Sequence, residues 1–177
     1  MANNVHTVAE TTNLRCVHYA ERIWDAVADF NVDNGTFGYL ENPKDGGVIY
    51  DFKTGTSNGK APVMAHNPEW TEDTSRMTNQ RKDKFFIEAN VPFRAYTLHE
   101  GDEFALSAEG FAGKPEIDKY VSINADGKLA VADAPVEGAA MVGKIMRKRQ
   151  IGSTLVTGVR TYGYARMMYT VKVESLA

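Results

Sequence analysis

Through most of the chain, apolar and polar residues alternate over short stretches separated by turn-forming residues, which is typical of β-strands. From residue 91 onward the stretches are FRAYTL, EFALSA, YVSI, KLAVA, AAMVGKIMRK, STLVTGV and YARMMYTVKVE, and the separating turns include HEGD, GFAGKPEID, NADG, DAPVEG and RTYG. The last stretch alternates cleanly, and one of its faces carries Met167, Tyr169, Val171 and Val173. Short strands at this spacing predict a small closed barrel or sandwich.

The first ninety residues have a less regular pattern. Residues 1–12 offer few apolar side chains, so we expect a mobile amino-terminal arm that becomes ordered on a partner. The segment VADFNVDNGTFGYLE alternates on both sides of DNG and predicts a β-hairpin, and GVIYDFK predicts a further strand. The polar segment 67–86 predicts a surface excursion that is anchored at its ends by Trp70, Phe85 and Phe86.

These patterns predict a mainly β protein: a small β-barrel or sandwich body with an amino-terminal arm and a β-hairpin region. We divide the chain at residue 90. Residues 1–90 contain the arm, the hairpin and the polar excursion, and residues 91–177 are predicted to form a carboxyl-terminal β-barrel-like domain. Residues 14–27 fit either one face of a helix or a strand.

Composition narrows the classes of protein that need to be considered. The chain of 177 residues is 43% apolar and carries a net charge of −3, which gives no overall attraction to nucleic acid or to acidic membranes. No run of eighteen apolar residues occurs, and the polar amino terminus lacks the apolar core of a signal peptide. Cys16 is the one cysteine, which excludes an intrachain disulfide and predicts a small buried residue. We expect the protein to be made and kept in a cytosol.

The side chains that could perform catalysis do not form a recognisable pattern. HEGD places His99, Glu100 and Asp102 together, but a zinc-binding helix needs two histidines one turn apart, and this stretch predicts a β-turn around Gly101. The histidines lack ligand spacing, and nucleophile-elbow, phosphate-loop and dinucleotide motifs are all missing. The sequence therefore predicts a protein that is not an enzyme and that binds no cofactor or metal.

A short cationic cluster is the more informative chemical feature. It contains Lys144, Arg147, Lys148 and Arg149. Strand alternation would place Lys144 and Lys148 on one face and Arg147 and Arg149 on the other, so at least one pair has to meet solvent or an acidic partner. Tyrosines follow nearby, as in nucleic-acid-binding surfaces, but the net negative charge of the chain argues against that function. Docking of the cluster onto an acidic protein surface fits the pattern equally well.

The run PFRAYTLHEGDEFALSAEGFAGKPEIDKYVSINADGKLAVAD, followed by VGKIMRK and YTVKVES, resembles the carboxyl-terminal part of head decoration (cement) proteins of tailed bacteriophages. The segment DNGTFGYL resembles the amino-terminal part of the same group. The resemblance covers much of the chain and consists of strand and turn patterns. One departure is Asp118 in PEIDKYV, where the pattern of the group favours glycine.

This resemblance implies a virion structural protein that binds the outer surface of an assembled phage head and stabilises its lattice. The implied partner is the major capsid protein, with self-association in an unspecified oligomer as a second possibility, and no nucleic acid, membrane or cofactor is implied. Lys144, Arg147, Lys148, Arg149 and Trp70 are then candidate capsid contacts, and residues 1–90 would supply contacts to the capsid or to neighbouring subunits. The expected location is the capsid surface of the virion, after synthesis in the host cytoplasm.

Two alternatives remain open at this point. A phage tail-tube or head–tail connector protein would also be small, β-rich and polymerising, and segment 67–86 could reach the next ring. A small β-barrel carbohydrate-binding domain is the other alternative, with Trp70 beside Glu69 and Glu72 as its platform.

Overall fold

The computed structural model describes residues 5–19, 22–70, 81–157 and 160–177, with the backbone alone at residues 45, 153–157 and 160–164. The described residues are mainly β, as the sequence predicts, with one short helix α1 (Arg15–His18) and 3-10 turns at Asp45–Gly47, Lys82–Lys84 and Ala108–Gly110. Their strands are β1 (Ala9–Asn13), β2 (Ile23–Val27), β3 (Phe37–Lys44), β4 (Ile49–Thr54), β5 (Val63–His66), β6 (Phe93–Thr97), β7 (Glu103–Ser107), β8 (Phe111–Ala112), β9 (Tyr120–Ile123), β10 (Leu129–Ala132), β11 (Met141–Thr157) and β12 (Arg160–Leu176).

Five strands close into a barrel in the order β2–β4–β3–β5–β6. The barrel closes because β2 pairs in parallel with β4 on one side and antiparallel with β6 on the other. Its interior combines the buried rings of Phe52 and Phe93, whose centroids lie 5.3 Å apart, with small residues on the neighbouring strands. Gly38 of β3 is one of these small residues. A larger residue does not fit there, because a Cβ at this position would lie 2.1 Å from the Lys53 carbonyl oxygen.

The other strands of the described residues form a seven-stranded sheet in the order β1–β7–β12–β11–β9–β10–β8. One face of this sheet packs against the barrel. Phe37 and Met64 from barrel strands belong to the same buried cluster as Phe104 and Leu106 of β7. The barrel and the sheet therefore share a buried cluster at their contact, whereas Phe52 and Phe93 belong to a second cluster inside the barrel.

The barrel lies in a different part of the chain from the one that the sequence pattern led us to expect. The alternation predicts a barrel-like domain in residues 91–177, whereas the closed barrel uses strands within residues 23–97. Residues 91–177 contribute β6 to the barrel and then form most of the sheet. The expected division at residue 90 comes just before β6, which pairs with β2 and β5. Alternation indicates strands but does not determine which strands pair.

The amino-terminal segment is packed against the body, so the prediction of a mobile arm is wrong for its described part. Thr7, Val8 and Ala9 are buried, and β1 pairs antiparallel with β7. The Val8 amide donates to Ser107 Oγ at 3.0 Å, and the Ser107 amide donates to the Val8 carbonyl at 2.9 Å. Backbone pairing along the edge of β7 provides the stabilisation that the few apolar side chains do not. Residues 1–4 lie outside the described residues.

The predicted hairpin around DNG is also wrong. Asp33–Thr36 is a turn, because the Thr36 amide donates to the Asp33 carbonyl at 3.1 Å, but β2 and β3 on its two sides do not pair with each other. The buried Asn34 side chain instead bonds to the backbone of Asn67, donating to its carbonyl at 2.8 Å and accepting from its amide at 2.9 Å. These bonds join the turn to the residue that follows β5.

We expect Asn34→Ala to lower the free energy of unfolding by about 2 kcal/mol, because it removes both hydrogen bonds and leaves two backbone groups of Asn67 without their partner. Asn42→Ala is the matched control, since Asn42 is exposed, and its effect should stay within about 0.5 kcal/mol. Urea denaturation of both variants measures the difference. Equal midpoints for the two variants would contradict the assigned role of Asn34.

Candidate functional site

The two longest strands form a ribbon that continues beyond the sheet. β11 and β12 pair with each other along their whole length, whereas β12 stops pairing with β7 at Met168 and β11 stops pairing with β9 at Lys144. Beyond Met168, eight residue pairs, from Gln150 with Met167 to Thr157 with Arg160, have no third strand within the described residues. We call residues 150–157 and 160–167 the ribbon. At about 3.4 Å per residue it is about 27 Å long.

Where the chain is described, no third strand pairs with either edge of the ribbon, so the outward-pointing N–H and C=O groups of both edges lack a strand partner there. A two-stranded hairpin without further packing is only marginally stable in water. An exposed strand edge is also a template for pairing with another chain, and natural proteins usually cover or interrupt such edges. Among the described residues, the ribbon therefore has backbone groups on both edges that no third strand pairs. The sequence indicates both strands but separates β11 into two pieces, AAMVGKIMRK and STLVTGV, which the structure joins.

The four cationic residues of the cluster, Lys144 to Arg149, lie where the ribbon leaves the sheet. A β-bulge changes how they are divided between the two faces of the strand. The register shifts between Ile145 and Arg147, so Met146 is an extra residue on β11. Because paired residues share a face, Arg147 opposite Thr170 and Arg149 opposite Met168 lie on one face, as predicted.

The prediction that Lys144 and Lys148 share a face is wrong. Lys144, opposite Lys172, joins the face that carries the two arginines, and Lys148, opposite Tyr169, lies on the other. The physical reason is the bulge, because one additional residue inverts the alternation on one side of it. Nothing in the sequence KIMRKR marks where that residue is inserted.

Both arginines lie in a shallow groove of about 330 Å³ together with two carboxylates. Arg147 Nη2 lies 3.5 Å from Glu103 Oε2, and its Nε donates to Thr170 Oγ1 at 3.3 Å. Arg149 pairs with Glu10 of β1. The arginine side chains are 62% and 51% exposed, so each ion pair contributes at most about 1 kcal/mol and can exchange its carboxylate for one on a partner.

Lys144 is held by Asp118, the residue at which this chain departs from the decoration-protein pattern. Lys144 Nζ lies 3.1 Å from Asp118 Oδ1, and this hydrogen bond and charge raise the pKa of Lys144. Asp118 has φ of +68°, in the left-handed region that favours glycine and that aspartate tolerates better than most residues. The turn therefore has the backbone conformation that glycine would adopt. Lys148 is exposed and has no ion pair among the described residues.

A buried carboxylate fixes the base of the ribbon to the body. Asp83 is 0% exposed and accepts hydrogen bonds from Arg81 Nε at 3.0 Å, Arg81 Nη2 at 2.7 Å and Arg166 Nη2 at 2.7 Å. Its carbonyl also accepts from the His6 amide at 2.9 Å. Arg166 belongs to the ribbon, so one residue connects three segments: the Asp83 side chain binds the ribbon, its backbone carbonyl binds the amino-terminal segment, and Asp83 itself lies in the 3-10 turn Lys82–Lys84. No local sequence pattern marks this group, because His6, the Arg81–Asp83 pair and Arg166 are far apart in the chain.

Burial alone would raise the pKa of Asp83. The hydrogen bonds and charges of Arg81 and Arg166 act in the opposite direction and outweigh burial, so the pKa of this carboxyl lies below its ordinary value of 3.8. Asp83 therefore remains ionised wherever the protein is folded at neutral pH, and its charge compensates the two guanidinium groups.

Trp70 does not belong to the cationic cluster. It is 70% exposed, so it does not anchor segment 67–86, whereas Phe85 packs against the barrel core and the ring of Phe86 stacks on His6 at 4.9 Å. The Glu69 side chain is largely buried, with Lys82 Nζ 3.4 Å away, instead of forming a platform beside Trp70. Glu72 and the remainder of residues 71–80 lie outside the described residues.

The HEGD stretch forms the predicted turn. Gly101 has φ of +88°, and the buried carboxylate of Asp102 accepts from the backbone amides of His99 and Arg15, each at 2.8 Å. In the parts of the chain that the structure describes, no group of three histidine, cysteine, aspartate or glutamate side chains could hold a metal ion. Within the same residues, no helix has the length and apolar character needed to cross a membrane.

Comparisons of the chain with protein-family models, with curated proteins and with solved structures found no match.

We expect Asp83→Asn to lower the free energy of unfolding by about 2–3 kcal/mol at about pH 7, because two guanidinium groups lose their shared counter-charge. A carboxyl with a lowered folded-state pKa stabilises the fold above its unfolded pKa of 3.8, and this stabilisation is lost as the pH falls through the folded value. The difference in the free energy of unfolding between wild type and variant should therefore stay constant down to about pH 5. It should shrink as the pH falls below 3.8.

Urea denaturation at several pH values measures this difference. Asp133→Asn is the control, because Asp133 forms an exposed ion pair with Lys119, and its replacement should leave the unfolding midpoint unchanged. If both substitutions had the same effect, the Asp83 cluster would not stabilise the base of the ribbon.

Proposed function

We propose that this protein is a virion structural protein, a capsid decoration protein that binds the outer surface of a tailed-phage head and stabilises the capsid lattice. The observation that carries the proposal is the ribbon, which extends from the sheet, pairs with no third strand in the described parts of the chain and is fixed at its base. The resemblance of the strand and turn sequence to head decoration proteins supports the same function. The proposed partner is the major capsid protein, and no catalytic step is involved.

The ribbon supplies a physical mechanism for docking. Its open edges can pair with a strand of a capsid subunit, so that main-chain hydrogen bonds provide affinity and alternate side chains provide specificity. A ribbon held by Arg166 and Asp83 at its base loses less conformational entropy on docking than a free hairpin would. Exposed cations at the base, Arg147, Lys148 and Arg149, lie beside this contact and can meet acidic groups of the capsid.

Binding to the assembled lattice would stabilise it through mass action. A ligand that binds the assembled state and not the separated subunits shifts the equilibrium toward assembly. A head offers many identical sites, and a decoration protein that bridges two subunits adds avidity to a modest affinity for each. The mechanism therefore requires neither a deep pocket nor a large hydrophobic patch.

If the protein were instead a tail-tube or head–tail connector protein, the ribbon would contact a different partner. In a tube, the ribbon would extend to a subunit of the next ring, and the purified protein would polymerise by itself. Negative-stain electron microscopy of the purified protein distinguishes the two functions: dispersed particles favour decoration, and rings or tubes favour the alternative.

A ribbon-shortened variant tests the proposal most simply. Replacing residues 153–164 by Asn-Gly joins Gly152 to Ala165, which are paired, through a two-residue turn suited to a hairpin. We expect wild type to cosediment with heads of the same virus that lack this protein, and the shortened variant to bind at least about tenfold more weakly. Circular dichroism and the unfolding midpoint serve as controls for an intact body. Wild-type binding by the shortened variant would contradict the proposal.

A second prediction concerns charge. Arg147→Gln/Arg149→Gln should slow association with undecorated heads and flatten its dependence on salt, because charges at the rim of a contact mainly determine the association rate. Lys144→Gln/Lys148→Gln tests the other predicted pair separately. Stopped-flow light scattering at several salt concentrations measures the rates.

The matched control for charge is Lys44→Gln/Lys53→Gln, which removes two positive charges from barrel strands. This control should slow association with undecorated heads less than either double variant at the base of the ribbon does. If both ribbon-base variants associate at the wild-type rate in low salt, the docking surface lies elsewhere on the protein.

A further inference from the structure

As far as the chain is described, one end of the barrel holds a pocket to which each of the five barrel strands contributes a side chain. These are Trp24 of β2, Leu40 of β3, Tyr50 of β4, Val63 of β5 and Thr97 of β6. Trp24 and Leu40 pack on the buried barrel core, to which Val63 belongs, so the interior of the barrel forms the floor of the pocket. Its volume of about 410 Å³ is within the range of small-molecule sites.

The aromatic wall of this pocket is fixed in place. Trp24 Nε1 donates to Thr97 Oγ1 at 3.1 Å, and Thr97 Oγ1 in turn donates to the Arg22 carbonyl at 3.3 Å. The Tyr50 ring meets the indole edge-on, with centroids 5.0 Å apart and an angle of 75° between the planes. Because the indole N–H is already bonded within the protein, the wall offers aromatic surface in a preorganised position.

The rim of the pocket is polar and mixed in charge. It carries Arg22, Glu41, Asn42 and Lys60, so hydrogen-bond donors and acceptors are both present and two positive charges stand beside one negative charge. The Arg22 guanidinium lies 5.4 Å from the centroid of the Trp24 ring. Such a rim can bond to a ligand whose groups both donate and accept hydrogen bonds, which is the chemistry of hydroxyl groups.

We propose that the mouth of the barrel binds one ring of a saccharide. The apolar C–H face of the sugar would lie against Trp24 and Tyr50, and its hydroxyl groups would bond to Glu41 and Asn42 at the rim. The inference is independent of capsid decoration, because none of these residues belongs to the ribbon or to the cationic cluster. It also differs from a platform built on Trp70, which lies outside this pocket.

The test uses the fluorescence of Trp24. Trp70→Phe leaves Trp24 as the one tryptophan in the chain, so its emission reports on the pocket alone. Titrating this variant with the methyl glycosides of glucose, galactose, mannose and N-acetylglucosamine should give a saturable change for at least one of them. A single sugar ring makes few contacts, so we expect a Kd of about 1 mM.

Rim variants in the same background locate the site. Glu41→Gln and Asn42→Ala should each weaken binding about fivefold, the effect of losing or weakening one hydrogen bond. Glu137→Gln, at an exposed position far along the chain from the barrel strands, should leave the Kd unchanged. The proposal is overturned if no glycoside gives a saturable change, if adenosine binds as tightly as the best glycoside, or if Glu137→Gln weakens binding as much as Glu41→Gln does.

Discussion

The position of Phe37 determines how the barrel and the sheet are joined. Its ring packs at 5.3 Å from that of Phe104 in the shared core, its amide donates to the Gly127 carbonyl at 2.8 Å, and its carbonyl accepts from the Gly55 amide at 3.1 Å. Gly127 has φ of +72°, and a Cβ there would lie 2.4 Å from the Phe37 oxygen. The turn between β9 and β10 can therefore approach the barrel only through a glycine, and the two halves become one body.

The ribbon depends on that arrangement. β12 lies between β7 and β11 in the sheet, and β7 carries Phe104, so the contact that joins the halves also positions the strand from which the ribbon continues. Asp83 adds a second attachment through Arg166. The base of the ribbon is thus held by a hydrophobic core on one side and a buried ionic cluster on the other.

Local features of the sequence predicted a good part of this fold. Alternation and turn residues located YVSI, FRAYTL, EFALSA and KLAVA as strands, and Asp102 and Gly101 as a turn, because these depend on neighbouring residues. The pairing of β1 with β7 and the contact between Asp83 and Arg166 join residues that are far apart in the chain, and no local pattern encodes them. The same limit applies to the bulge at Met146 and to the barrel mouth around Trp24, which exists only once five strands have closed.

Amide hydrogen exchange on the protein bound to undecorated heads tests the central claim most directly, because the account requires the open edges of the ribbon to gain hydrogen bonds from the capsid. We predict that backbone amides within 150–157 and 160–167 exchange more slowly in the bound state than in the free protein, while those of barrel strands β3 to β5 do not change. Slower exchange confined to the barrel, with the ribbon amides unchanged, would contradict the account.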